Sequence, residues 1–151
     1  CSGVMFSLDT ESGFRDVVLL TAAYGLGENV VQGAVNPDEY LIFKPTLLEG
    51  FAPIVSQRLG EKAIRMVYAQ AGSTRNESVP ACDRQRFALD QAEVLQLARW
   101  ACQIEAHYSE RRGQATPMDI EWAKDGKSGE LFRCVLKLKS THSTLCVAEP
   151  S

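Results

Sequence analysis

The sequence predicts an α+β fold, a mostly antiparallel sheet with one long helix packed on it. Three observations predict it. Short β-prone runs recur along the 151 residues, punctuated by Gly, Pro, Asn and Asp clusters. One segment, Gln91 to about Tyr108, carries apolar residues at helical spacing behind a capping box. Met118–Ala123 alternates apolar and polar residues, an Asp125-Gly126 turn follows, and Leu131–Leu138 supplies a partner strand.

Taken in order, Gly3–Asp9 is strand-like and ends in the turn-rich stretch Asp9–Gly13. Asp16–Tyr24 is a continuous apolar run, as suits a strand covered on both faces. Gly25-Leu26-Gly27-Glu28 punctuates the chain, a short helix is predicted through Asn29–Gly33, and a loop at Asn36-Pro37-Asp38. Tyr40–Lys44 is a strand ended by Pro45. Ile54–Arg58 and Ala63–Tyr68 read as a strand pair around Gly60, and Ala71–Asp83, rich in Gly, Ser, Thr, Asn and Pro, reads as a surface loop. In the long helix Asp90 is the N-cap and Glu93 completes the box, with Val94, Leu97, Ala98, Ala101, Ile104 and Tyr108 on one face. Glu110–Thr116 is a polar connector. The polar tail Ser140–Ser151 has no period and is expected to be poorly ordered.

A chain of 151 residues fits one domain with a real core. Hydrophobic content of 45% and charged content of 23% are ordinary for a soluble protein. A net charge of −3 argues against a general nucleic-acid binder, and no apolar run approaches the roughly 18 residues that span a bilayer. The five cysteines are odd in number and lack CxxC spacing, so neither a metal cluster nor a disulfide framework is expected, and reduced thiols in a cytoplasmic protein are. The chain opens at Cys1 directly on a strand-like segment without a signal-peptide pattern, and so reads as cut from something longer.

Asp119 and Glu121 are the candidate chemical residues. Their spacing puts both carboxylates on one strand face, where they could hold Mg²⁺ through oxygen or simply face water. Gly25-Leu26-Gly27-Glu28 could bring backbone amides to a phosphate or be a plain turn. Without a following Lys-Ser/Thr it is no Walker loop. His107, Trp100, Trp122 and Cys102 are expected to be structural, and His142 with Cys146 lacks further ligands for a metal.

Two stretches, Ser2-Gly3-Val4-Met5-Phe6-Ser7-Leu8-Asp9-Thr10-Glu11-Ser12-Gly13-Phe14 and Pro117-Met118-Asp119-Ile120-Glu121-Trp122-Ala123-Lys124-Asp125-Gly126, resemble the nucleotide-binding region of the phosphoenolpyruvate synthase (pyruvate, water dikinase) family. The likeness also takes in Gly25–Glu28, Val31–Glu39, Lys44-Pro45-Thr46, Arg65–Tyr68 and Ile104–Tyr108, and so runs almost continuously from Ser2 to about Phe132. It implies an ATP-grasp fold, of which residues 1–139 look like the second subdomain, with 140–151 an unmatched tail. It implies Glu121 as the Mg²⁺ ligand at the ATP phosphates, with Asp119 structural or behind it. The implied parent reaction converts pyruvate, ATP and water to phosphoenolpyruvate, AMP and phosphate.

The resemblance also marks departures. The first subdomain with its phosphate-contacting Lys and Arg would precede Cys1, and the phosphohistidine and pyruvate-binding domains would follow the other end. Where the family continues with Gln-Ala-Arg-Pro, this chain has Val135 in place of the metal-holding Gln and Lys137 in place of the Arg. Valine cannot ligate magnesium, and lysine lacks the guanidinium fork. The expectation is therefore a fragment of an ATP-dependent phosphotransferase, inactive by itself. The alternatives are a non-catalytic remnant or interaction module without nucleotide binding, and a subunit completed by a partner chain that supplies the missing subdomain.

Overall fold

The computed structural model describes residues 1–136, so the expectations for the tail and for the 139/140 boundary lie outside the described residues. Six strands form one sheet in the order β4-β3-β2-β1-β7-β8, and every neighbouring pair is antiparallel. They are β1 (Ser2–Phe6), β2 (Val17–Ala22), β3 (Asp38–Phe43), β4 (Ile54–Arg58), β7 (Asp119–Lys124) and β8 (Leu131–Leu136). A separate hairpin of β5 (Ile64–Tyr68) and β6 (Thr74–Ser78) stands beside them. The helices are α1 (Glu28–Val31), α2 (Lys44–Leu48), α3 (Ala81–Arg84) and the long α4 (Gln91–Arg112).

The helix α4 starts as its sequence dictates. The Asp90 carboxylate accepts the Glu93 N–H at 2.8 Å, and the Glu93 carboxylate accepts the Asp90 N–H at 3.0 Å. Val94, Leu97, Ala98 and Ala101 are fully buried against Met5, Val18, Leu20, Ile42 and Ile120 of the sheet. The helix runs one turn beyond Tyr108 and ends on Gly113 at φ 67°. That last turn is polar, so no apolar periodicity marked it, while the left-handed residue that glycine permits closes the helix.

Two expectations for the middle of the chain are corrected. Ile54–Arg58 pairs with β3, not with the following strand, and Ala63–Tyr68 instead pairs with residues 74–78. The segment Ala71–Asp83 is therefore not a loop but holds β6 and the start of α3. Thr74-Arg75-Asn76-Glu77-Ser78 has no apolar alternation because β6 is exposed along its length except at Glu77. A cross-strand polar pair braces the hairpin, Arg65 Nε donating to Glu77 Oε1 at 2.8 Å. Pro45 ends β3 as expected but also opens α2, where its fixed φ suits the first turn.

Buried charge fixes the chain between these layers. Lys62 Nζ lies 2.5 Å from Asp38 Oδ1, and both side chains are 0% exposed. Lys62 also donates to the Gly60 and Arg84 carbonyls, while Asp38 accepts the Gly60 and Ala88 N–H groups. With every polar atom partnered, the pair ties the start of β3 to the approach of α4, and removing one partner would strand the other charge.

Candidate functional site

The strand β7 carries the two carboxylates, and its seat is set by small residues on β1. Gly3 lies opposite Trp122, and a Cβ there would fall 1.8 Å from the Thr21 carbonyl oxygen and 2.9 Å from the Trp122 ring. Only glycine lets the indole lie down, and its Nε1–H then donates to Thr21 O at 3.2 Å. The Thr21 hydroxyl, 3.1 Å from both the Val4 N–H and the Val4 carbonyl, fills the opening this leaves in the β1–β2 ladder. Trp122, Ile120 and Met118 are buried beneath α4, so Asp119 and Glu121 are turned to the other face of the sheet.

On that face the Gly25–Val31 segment packs over the Ser2 end of β1, while the one long helix among the described residues lies on the opposite face. Asp119 sits opposite Phe6 and Glu121 opposite Val4. Asp119 Oδ1 is buried with no hydrogen-bond partner. Burial, and secondarily the charge of Glu121, push the Asp119 carboxyl above the usual carboxylate range. A buried acceptor without a donor is costly unless a cation or proton meets it. Oxygen donors on one face, one of them orphaned, fit a hard divalent cation that keeps waters and phosphate oxygens in its other positions. Among the described residues no group of three or more His, Cys, Asp or Glu is gathered, so the chain offers two carboxylates and no closed cage.

Glu121 also borders a mostly apolar cavity of about 300 Å³, lined by Ser2, Gly3, Gly27, Val31, Trp122 and Phe132 among others. Val31 and Phe132 are exposed at its rim. The Gly25–Glu28 segment forms one wall. Gly25, at φ +82°, is packed on β5, where a Cβ would meet Met66 O at 2.4 Å. The Leu26 N–H donates to Met66 O at 2.9 Å, and Ser2 Oγ donates to Gly25 O at 2.7 Å. So the first glycine serves packing, and the second, Gly27, faces the cavity. A smaller cavity of about 190 Å³ beyond the end of α4 touches Met118 but neither carboxylate.

Three other residues singled out, Trp100, Cys102 and His107, lie on α4, a different element from the carboxylates, and His142 and Cys146 lie outside the described residues. His107 meets Tyr108 edge-on with ring centroids 5.4 Å apart. Cys102 is buried, and burial raises its thiol pKa. Trp122 is a core residue, whereas Trp100 is half-buried, with the Arg133 guanidinium 4.7 Å from its ring centroid. The sequence could not show that last contact, because it joins a helix to an edge strand. Cys134, paired with Glu121, and Val135, paired with Ile120, continue β8.

The profile described as Pyruvate phosphate dikinase, AMP/ATP-binding domain, matches residues 1–139. The chain belongs to this family. Members similar to it include proteins named phosphoenolpyruvate synthase. That of Synechocystis sp. is 66% identical over 133 residues, covering 87% of this chain and 16% of that protein. That of Aquifex aeolicus is 53% identical over 144 residues, covering 94% and 17%, and that of Helicobacter pylori is 54% identical over 134 residues, covering 87% and 16%. The chain thus spans less than a fifth of these relatives' length. Membership in an AMP/ATP-binding domain family gives the nucleotide as the class of partner. Among the described residues no helix is long and apolar enough to cross a membrane.

Proposed function

We propose that this chain contributes the cation-binding wall of an ATP site in a phosphotransferase of the phosphoenolpyruvate synthase type. The observation that carries the reading is the orphaned Asp119 oxygen beside Glu121 on the face away from α4, next to a cavity on the same strand. Glu121 is the proposed Mg²⁺ ligand. Asp119, more deeply set, either shares the ion or holds a water on it. Bound magnesium would neutralise charge on phosphate oxygens during transfer. The chain's own part is to aim two carboxylates, give the cavity an apolar edge through Val31 and Phe132, and hold β7 in place through Trp122 and Gly3.

In the whole protein the reaction would consume pyruvate, ATP and water and yield phosphoenolpyruvate, AMP and phosphate. The ATP-grasp arrangement would place the first subdomain over the carboxylate face, whether on the same polypeptide or on a partner chain. Residues 1–139 would be the family domain and 140–151 an extension of different character. Alone, the chain would bind Mg·ATP weakly and catalyse nothing, since phosphoryl transfer depends on positioned charges from several elements. The second reading, an interaction module without nucleotide binding, is favoured by the sequence at position 135, where valine stands in place of the metal-holding glutamine of the family pattern. Calorimetry with Mg·ATP separates them. Weak binding that disappears in Glu121→Gln supports the first reading. No binding at all supports the second, and binding indifferent to that change contradicts the assignment of Glu121.

A further inference from the structure

A buried charge ties down the strand that carries the carboxylates, from the side opposite to them. Lys44, the first residue of α2, is only 8% exposed. Its Nζ donates to the Ser7 carbonyl oxygen at 2.5 Å and to Glu105 Oε2 of α4 at 2.6 Å. Ser7, fully buried, grips Met118 twice: its N–H donates to Met118 O at 3.0 Å, and its hydroxyl accepts the Met118 N–H at 2.7 Å. Met118 immediately precedes Asp119, and the regular β1–β7 ladder ends at the Phe6–Asp119 pair. Glu105, Lys44, Ser7 and Met118 therefore form one unbroken line from the long helix to the entry of the site strand.

Packing alone does not call for an ammonium there. An apolar side chain of similar volume would fill the space at no desolvation cost, and burying a charge is weak evidence of stabilisation. What the ammonium adds is direction, because it fixes the Ser7 carbonyl and so the two bonds by which Ser7 sets Met118. We infer that Lys44, held by Glu105 and acting through Ser7, is a positioning residue for the Asp119–Glu121 cation site. The inference rests on the cation-site reading of those carboxylates. Lys44 touches neither of them nor any ligand. It sets where β7 begins, and with it the depth at which Asp119 lies.

The test is Mn²⁺ affinity of the whole chain, read by electron paramagnetic resonance of the free ion, alongside thermal unfolding. Lys44→Met and Ser7→Ala are expected to weaken Mn²⁺ binding about tenfold or more, the usual scale for loss of a supporting partner around a metal site. Lys44→Arg, which keeps the charge, should recover most of it. Lys62→Met is the control: it breaks an equally buried ion pair away from β7, and should lower the unfolding temperature without changing Mn²⁺ affinity. If Lys44→Met does not fold, Ser7→Ala, which deletes one hydroxyl, carries the test. Wild-type affinity in folded Lys44→Met and Ser7→Ala, with Glu121→Gln inactive toward Mn²⁺, would overturn the inference alone. Absence of Mn²⁺ binding in the wild type, or unchanged binding in Glu121→Gln, would overturn the cation-site reading and the inference with it.

Discussion

Gly3→Ala is the smallest change that should unsettle both fold and site. The added methyl would fall 1.8 Å from a backbone oxygen, Thr21 O, and 2.7 Å from its carbon, so a side-chain adjustment cannot absorb it. The third neighbour is the Trp122 ring at 2.9 Å, whose Nε1–H is bonded to that same oxygen. Overpacking of this kind costs about 1–3 kcal/mol, and the lost indole hydrogen bond adds about 0.5–1.5 kcal/mol. Together they predict a loss of about 2–4 kcal/mol, a large share of the roughly 5–15 kcal/mol that holds a domain. With a urea dependence of about 2 kcal/mol per molar, the midpoint should fall by about 1–2 M. Tryptophan fluorescence should follow the transition, since Trp122 is the group displaced. A midpoint within about 0.3 M of wild type would refute the reasoning, because the sheet would then have yielded at almost no cost.

Other expectations follow from the same structure. Lys62→Met should destabilise by about 3–5 kcal/mol, since it leaves the Asp38 carboxylate buried without its partner, whereas breaking the exposed Arg86–Asp83 pair should leave the unfolding temperature close to wild type; thermal unfolding distinguishes them. Asp90→Ala removes the side-chain half of the capping box and should cost about 1 kcal/mol by denaturant titration. Asp119 binds its proton more tightly folded than unfolded, so stability should fall as pH rises from the ordinary value of 3.8 through the raised folded value. The penalty is absent below that window and complete above it. Asp119→Asn should flatten the slope in melts across pH, and added Mg²⁺ should offset the penalty above the window.

The sheet and the long helix were legible because their burial is written in periodicity. The run Val17–Ala22, the capped helix from Asp90 and the alternation in 118–123 each announce a face that must leave water. The β5–β6 hairpin was not legible, because an exposed strand such as Thr74–Ser78 needs no apolar pattern and is chosen by pairing with Arg65 and its neighbours. The shared face of Asp119 and Glu121 followed from spacing alone, but their role did not. What distinguishes Asp119 from a solvated carboxylate is its buried, unpartnered oxygen, a property that exists only in the folded sheet. Lys44 and Lys62 were likewise unreadable. A buried lysine looks like a surface lysine until its carboxylate partner, tens of residues away in the chain, is brought to it.

The most direct test of the central claim is a Mn²⁺ titration of the isotope-labelled chain, with and without ATP, followed by amide resonances. Saturable broadening is expected, centred on Asp119–Ala123 and the facing residues Ser2–Phe6, extended by ATP to Gly27 and Val31, and abolished by Glu121→Gln. Broadening centred elsewhere, or the same pattern in Glu121→Gln, would contradict that claim.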